Sequence, residues 1–246
     1  MQNACYHVMF AIYLKHEHTS KEFYMDLPGL IRITEADENL AKDVAFMMGE
    51  SFLEEKWTAT LLSSLHDINA SPERILEISR LLMFHEFMVG SSFGNCYTLP
   101  DISASAGAYL KSDLGNRVWS DLEEIAFDKL SRDYLTKQET ETLLKQQEKM
   151  KGITVFNWEE EYSKGNDFIH FYVLGVDPKK RGQGGFRRLV EPFFDYADEH
   201  GIECYLETYS IPLEQLYQHF GFETVHIFRD PSFKIEERCM VRKPQA

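Results

Sequence analysis

At 246 residues the chain is long enough to bury one sizeable core, and its 43% hydrophobic content is that of a globular protein. The formal net charge of -14 argues against a nucleic-acid partner and favours a cationic ligand such as an amine. Cys5, Cys96, Cys204 and Cys239 form no C-x-x-C pair, and no H-E-x-x-H or Cys/His spacing occurs. The chain therefore reads as a cytoplasmic protein with reduced thiols and no metal site.

In chain order, residues 1–28 read as an N-terminal extension and residues 29–246 as one domain. Ala4 to Leu14 is apolar except for His7. It is too short to span a bilayer and lacks the basic flank and cleavage site of a signal peptide, so no membrane partner is expected. The segment either packs on the domain or is translated upstream of a start at Met25. Leu30 to Thr34 reads as a strand, with Thr34 as cap and Asp37 in the box position. The next helix has Leu40, Val44, Phe46, Met47 and Phe52 as its buried face. Helices follow over Trp57 to Leu65 and, behind Ser71-Pro72, over Glu73 to Phe87. Asn95–Leu99 and Ser103–Leu110 read as a hairpin, and Gly107 marks a bulge or a close approach.

A helical insertion spans about 118–152, with a break near Leu135 to Gln138. It either covers an acceptor site or forms a surface bundle. Trp158 to Asp167 is acidic and reads as a loop. His170 to Val176 is rich in aromatic and β-branched residues and reads as a strand, stopped by Asp177-Pro178. After Lys179-Lys180-Arg181-Gly182-Gln183-Gly184-Gly185, a helical period begins with Phe186, Leu189, Val190, Phe193, Phe194 and Ala197. Pro192 should bend that helix and Gly201 should end it. Strand Ile202–Thr208, helix Leu213–His219 and strands Glu223–Ile227 and Glu236–Val241 complete the order.

A strand, a basic glycine-rich turn and a helix start make an anion site, because the first N–H groups of the helix point outward with its dipole behind them. Lys179, Lys180, Arg181, Arg187 and Arg188 crowd there in an otherwise acidic chain. The alternative is a solvated loop of flexible cations.

Val176-Asp177-Pro178, Arg181-Gly182-Gln183-Gly184 and Leu216-Tyr217-Gln218-His219-Phe220-Gly221-Phe222, in this order around a helix and a strand, resemble the GNAT family of acyl-CoA-dependent N-acyltransferases. The wording is most similar to the subgroup that includes puromycin N-acetyltransferase. The resemblance implies an α/β fold with a central, mostly antiparallel twisted sheet flanked by helices. It implies acetyl-CoA as donor and a small-molecule amine as acceptor, in a monomer or homodimer. The amides of Gly182, Gln183, Gly184, Gly185 and Phe186 would hold the pyrophosphate, helped by Arg181 and Arg187. Leu174 and Val176 would pair with the pantetheine arm. Phe186 departs from the family's small residue at that place. Tyr217 matches the proton donor to the thiolate. By period two, His170 shares a strand face with Tyr172, Leu174 and Val176, near where relatives carry a carboxylate base. It is a base or a structural hydrogen-bonder, and Glu207 is a second proton acceptor or an amine-binding group. Rival readings are a weakened CoA-binding regulatory module, an acetyltransferase of peptide or protein amines, and a domain binding a different nucleotide.

Overall fold

The computed structural model describes residues 25–245, so the expectations for residues 1–24 fall outside the described residues. Among the described residues seven strands form one sheet. They are β1 (Ile31–Ile33), β2 (Cys96–Thr98), β3 (Ala104–Leu110), β4 (Phe168–Val176), β5 (Glu203–Thr208), β6 (Phe222–Arg229) and β7 (Glu236–Arg242). Their order is β1-β2-β3-β4-β5-β7-β6, and all neighbours are antiparallel except β4 and β5. No helix among the described residues is long and apolar enough to cross a membrane.

Before the hairpin lie α1 (Glu38–Phe52), α2 (Lys56–Ser63) and α3 (Pro72–Ser91). Asp37, expected in the box position, is itself the N-cap of α1, and the Thr34 hydroxyl donates to its carboxylate at 2.7 Å. The buried face of α1 is Ala41, Val44, Ala45 and Met48. Phe46 lies outside that stripe, 38% exposed, and is covered by Lys42 and Arg80. Ser71 caps α3 by accepting from the Arg74 amide at 3.2 Å.

A short α4 (Lys111–Leu114) leads into the insertion, α5 (Trp119–Asp133) and α6 (Lys137–Met150). The break between them falls where expected, and Thr136 with Glu139 forms a reciprocal capping box that starts α6. Residues 158–162, expected to be loop, form α7 (Trp158–Tyr162). Its Trp158 and Glu159 are buried, and the acidic composition hid an inward-facing turn. α8 (Gly185–His200) runs through Pro192 as one helix and ends on Gly201 with φ 67°. Last comes α9 (Ile211–His219).

Leu189, Val190, Phe193, Phe194 and Ala197 bury the apolar stripe of α8 on one face of the sheet, against Ile169, Phe171 and Leu206. The other face is covered by α1, α3 and α5, through cores that contain Phe87, Leu130 and Val173, and Trp119, Tyr109 and Phe168. Arg242 on β7 fixes the end of α8 by a two-pronged pair with Asp198 at 2.7 Å.

The β3–β4 register slips by one residue. Gly107 opposes Val173 and Ala108 opposes Phe171, so Tyr172 is the extra residue of a bulge in β4. Its ring lies over Gly107 and Gly90, where a Cβ would collide with it. The phenol contacts Cys96 Sγ at 3.4 Å, and the ring stacks on Trp119 with centroids 3.6 Å apart. The bulge corrects the expected strand face. Phe168, His170 and Tyr172 face the α5 side, whereas Leu174 and Val176 pack with Phe171 on the α8 side.

The bulge also marks where β4 and β5 part. They pair only from Phe168–Glu203 to Phe171–Leu206, and Tyr172 to Val176 have no β5 partner. Gly107→Ala should lower stability by roughly 1–3 kcal/mol in urea unfolding, because the Tyr172 ring has no free space to yield. A change near zero would show that the ring is not held there.

Candidate active site

Where β4 leaves β5, a cavity of about 220 Å³ passes through the opening. Phe171, Leu174, Leu206 and Tyr217 line it from the α8 side, and His170, Tyr172, Val173 and Glu207 from the other. The insertion contributes Trp119, Glu123 and Phe127, spaced one helical turn apart along α5, and Trp158 and Glu159 follow from α7. The insertion therefore lines this cavity.

At the mouth of α8, Gly182 and Gly184 have φ of 79° and 78°, and an added Cβ would meet nothing within 4 Å. These glycines are needed for backbone shape rather than space. The Arg188 amide makes a bond to the Gly184 carbonyl at 3.1 Å. The amides of Gly185, Phe186 and Arg187 precede it and have no intrahelical acceptor. The Gln183 amide, expected among the free donors, instead closes the turn onto the Lys180 carbonyl at 3.3 Å.

Phe186 turns inward, with its ring 5.8 Å from Tyr217 and 5.2 Å from Phe220, and leaves its amide at the helix start. Arg181 pairs with Glu54 at 2.8 Å, Arg187 with Glu191 at 2.9 Å, and Arg188 with Asp101 at 3.4 Å. These pairs are exposed, and such pairs are worth about 0–1 kcal/mol, so an anionic ligand can exchange for them. A free strand edge beside free helix-start amides fits the diphosphate and the amide-bearing arm of coenzyme A.

His170 sits at the centre of a buried polar chain. Its Nδ1 contacts the Tyr109 hydroxyl at 3.1 Å, and Tyr109 donates to Glu159 at 3.0 Å. Its Nε2 is 2.9 and 3.0 Å from the two oxygens of Glu207, which also accepts from the Trp158 indole. Burial opposes a charge on His170, but Glu207 and then Glu159 outweigh it and push the imidazole up to about 9. Near neutral pH the ring is an imidazolium with both nitrogens engaged. Ligand atoms of Glu159, His170 and Glu207 lie within 4.8 Å of one another.

Tyr217 lies on α9, 6% exposed. Burial, reinforced by Glu55, pushes its phenol far above the usual tyrosine range and keeps the proton on oxygen. The structure thus brings Tyr217, His170 and Glu207 to one cavity. Sequence reading missed Tyr109, Trp158 and Glu159. No motif surrounds them, and Tyr109 stands in a strand buried at every position, so no alternation singles it out.

The model of the acetyltransferase (GNAT) family matches residues 109–222. An uncharacterised N-acetyltransferase of Schizosaccharomyces pombe is 35% identical over 79 residues, which is 31% of this chain and 32% of that protein. A second from the same organism is 35% identical over 57 residues, or 23% and 24% of the two chains. The aligned stretches thus span a third or less of these relatives. The solved arylalkylamine N-acetyltransferase 2 of Aedes aegypti superposes over 88% of this chain and 98% of its own, with TM-score 0.50 and 15% identity. Residues 109–222, from the end of β3 through the glycine turn to the start of β6, thus match the GNAT acetyltransferase family, and the chain shares the fold of a solved N-acetyltransferase.

Proposed function

We propose that the protein is an N-acetyltransferase that moves an acetyl group from acetyl-CoA to a primary amine of a small molecule by direct transfer. The observation that carries this reading is the cavity that threads the parted strands, with a protonated phenol on one side and a hydrogen-bonded carboxylate on the other. When bound, acetyl-CoA supplies a thioester carbonyl for the amine to attack. The free edge of Tyr172 to Val176 orients its arm. The amides of Gly185, Phe186 and Arg187, with Gly182 and Gly184 shaping the turn, hold its diphosphate. Leu174 and Val176 wall the arm, and Arg181 and Arg187 supply charge to the phosphates.

Tyr217 donates its proton to the departing sulfur. Glu207 accepts the proton that the amine loses. His170, already charged, holds Glu207 in place and is a positioning residue. A 220 Å³ cavity favours a small amine over a peptide. We take residues 29–246 as one catalytic domain, cytoplasmic, acting as monomer or homodimer. The likeness to the puromycin-acetylating subgroup rests on the wording around Val176–Gly184 and Leu216–Phe222.

Tyr217→Phe should lower kcat by roughly 10²-fold or more while CoA affinity, read by calorimetry, stays within about twofold. Unchanged turnover would remove Tyr217 from the reaction. Gly184→Ala should weaken CoA but not ATP stabilisation in thermal-shift titrations, since its φ of 78° is strained for alanine. Equal responses to CoA and ATP would point to a different nucleotide. The folded His170 lies at about 9, above the unfolded value of about 6.5. Its stabilising contribution is full below about pH 6.5 and is lost as pH rises through about 9. Imidazole NMR should place the His170 titration near 9 in the native protein and lower it in Glu207→Gln. A kcat that rises with an apparent pKa near 9 would instead make His170 the base.

A further inference from the structure

The end of the cavity away from Tyr217 takes no part in that chemistry. Among the described residues six glutamates line the whole space, Glu55, Glu86, Glu123, Glu159, Glu207 and Glu237, and no lysine or arginine does. All three tryptophans of the chain are in its walls. Five of the carboxylates have hydrogen-bond partners. Glu55 caps α2 through the Thr58 amide at 2.8 Å. Glu159 accepts from Tyr109, and Glu207 from His170. Glu237 accepts from Tyr209 at 2.6 Å and from the Val155 amide at 2.9 Å.

Glu86, on α3, is different. Among the described residues no hydrogen bond or ion pair reaches its carboxylate, and the charge that acts on it most is that of Glu123 on α5. It is packed round by protein yet keeps accessible surface, because it faces the cavity. Glu123 has a single partner, the Trp119 indole at 3.1 Å. Burial, then Glu123, pushes Glu86 well above the usual carboxylate range, and burial pushes Glu123 up to about 7. Two carboxyl groups carried into one cavity by packed helices stay neutral by holding protons unless a cation joins them. The aromatic walls of Trp119 and Phe127 suit an organic cation better than a hydrated metal ion.

We infer that the acceptor is an aliphatic di- or polyamine, whose reacting amine lies at Glu207 and whose second ammonium lies between Glu86 and Glu123 against Trp119. This deepens the acetyltransferase reading and rests on it. A monoamine meets only the Glu207 end, where His170 already supplies a positive charge, and leaves the Glu86–Glu123 pair unbalanced. The second ammonium donates to both carboxylates, and burial then strengthens the pairing.

The test is calorimetric titration of the full chain, with and without CoA, using 1-aminobutane, 1,4-diaminobutane and a linear triamine. The diamine or triamine should bind roughly tenfold or more tightly than the monoamine. Glu86→Gln and Glu123→Gln should each shrink that preference to about twofold or less. Equal affinity of monoamine and diamine for the native protein, or a preference that survives both substitutions, would overturn the inference. The comparison on the native protein needs no variant to fold. No acyl donor is present, so the outcome is separate from acetyl transfer. A diamine that binds with preference but is never acetylated removes the proposed reaction and leaves the cation site standing. Acetylation of 1-aminobutane without any diamine preference does the reverse.

Discussion

The one-residue slip at Tyr172 is the constraint on which the site depends. An extra residue in β4 cannot be absorbed by a straight ladder, so the strand turns away from β5 after Phe171. That divergence frees backbone groups from Tyr172 to Val176 and opens a passage through the sheet. It also reverses which side chains face α8, so Leu174 joins Phe171 there while His170 stays opposite. Gly107 and Gly90 make the slip possible, because the Tyr172 ring occupies the space their side chains would need.

The same ring couples the passage to the insertion. Trp119 stacks on Tyr172 and, on the next turn of α5, Glu123 reaches the cavity. A helix that docks by an aromatic stack thus brings an acid into the interior. Around it the protein gathers carboxylates from α3, α5, α7, β5 and β7 with a single buried imidazolium to balance them. Such an arrangement is destabilising in isolation. The His170–Glu207 contact and the Tyr109, Trp158 and Trp119 donors offset part of the cost, and among the described residues Glu86 has no such donor. An interior of this kind is suited to holding positive charge rather than to stability.

The anion end follows the opposite logic. At the start of α8, positive potential comes from unpaired amides and exposed arginines that pair weakly with Glu54, Glu191 and Asp101. The two ends of the opening therefore carry opposite potentials, which would place an anionic ligand and a cationic one on either side of the parted strands.

Local patterns were readable from the chain alone. The strand, Gly-rich turn and helix from Phe168 to His200, the split in the insertion at Thr136 and the helix carrying Tyr217 all follow from hydrophobic period, caps and glycines within a few residues of one another. So did the choice of Gly107 as a close-approach position. What the sequence could not contain was the convergence of Tyr109, Glu159, His170 and Glu207, which are up to 98 positions apart and meet only after four elements pack. Nor could period two survive in β4, since the bulge arises from a ring in one strand meeting glycines in another strand and a helix. The inward turn of α7 was hidden for the same reason. A run of acids reads as solvated until tertiary packing surrounds it, and whether a carboxylate is a surface charge or an interior ligand group is decided by neighbours that lie far away along the chain.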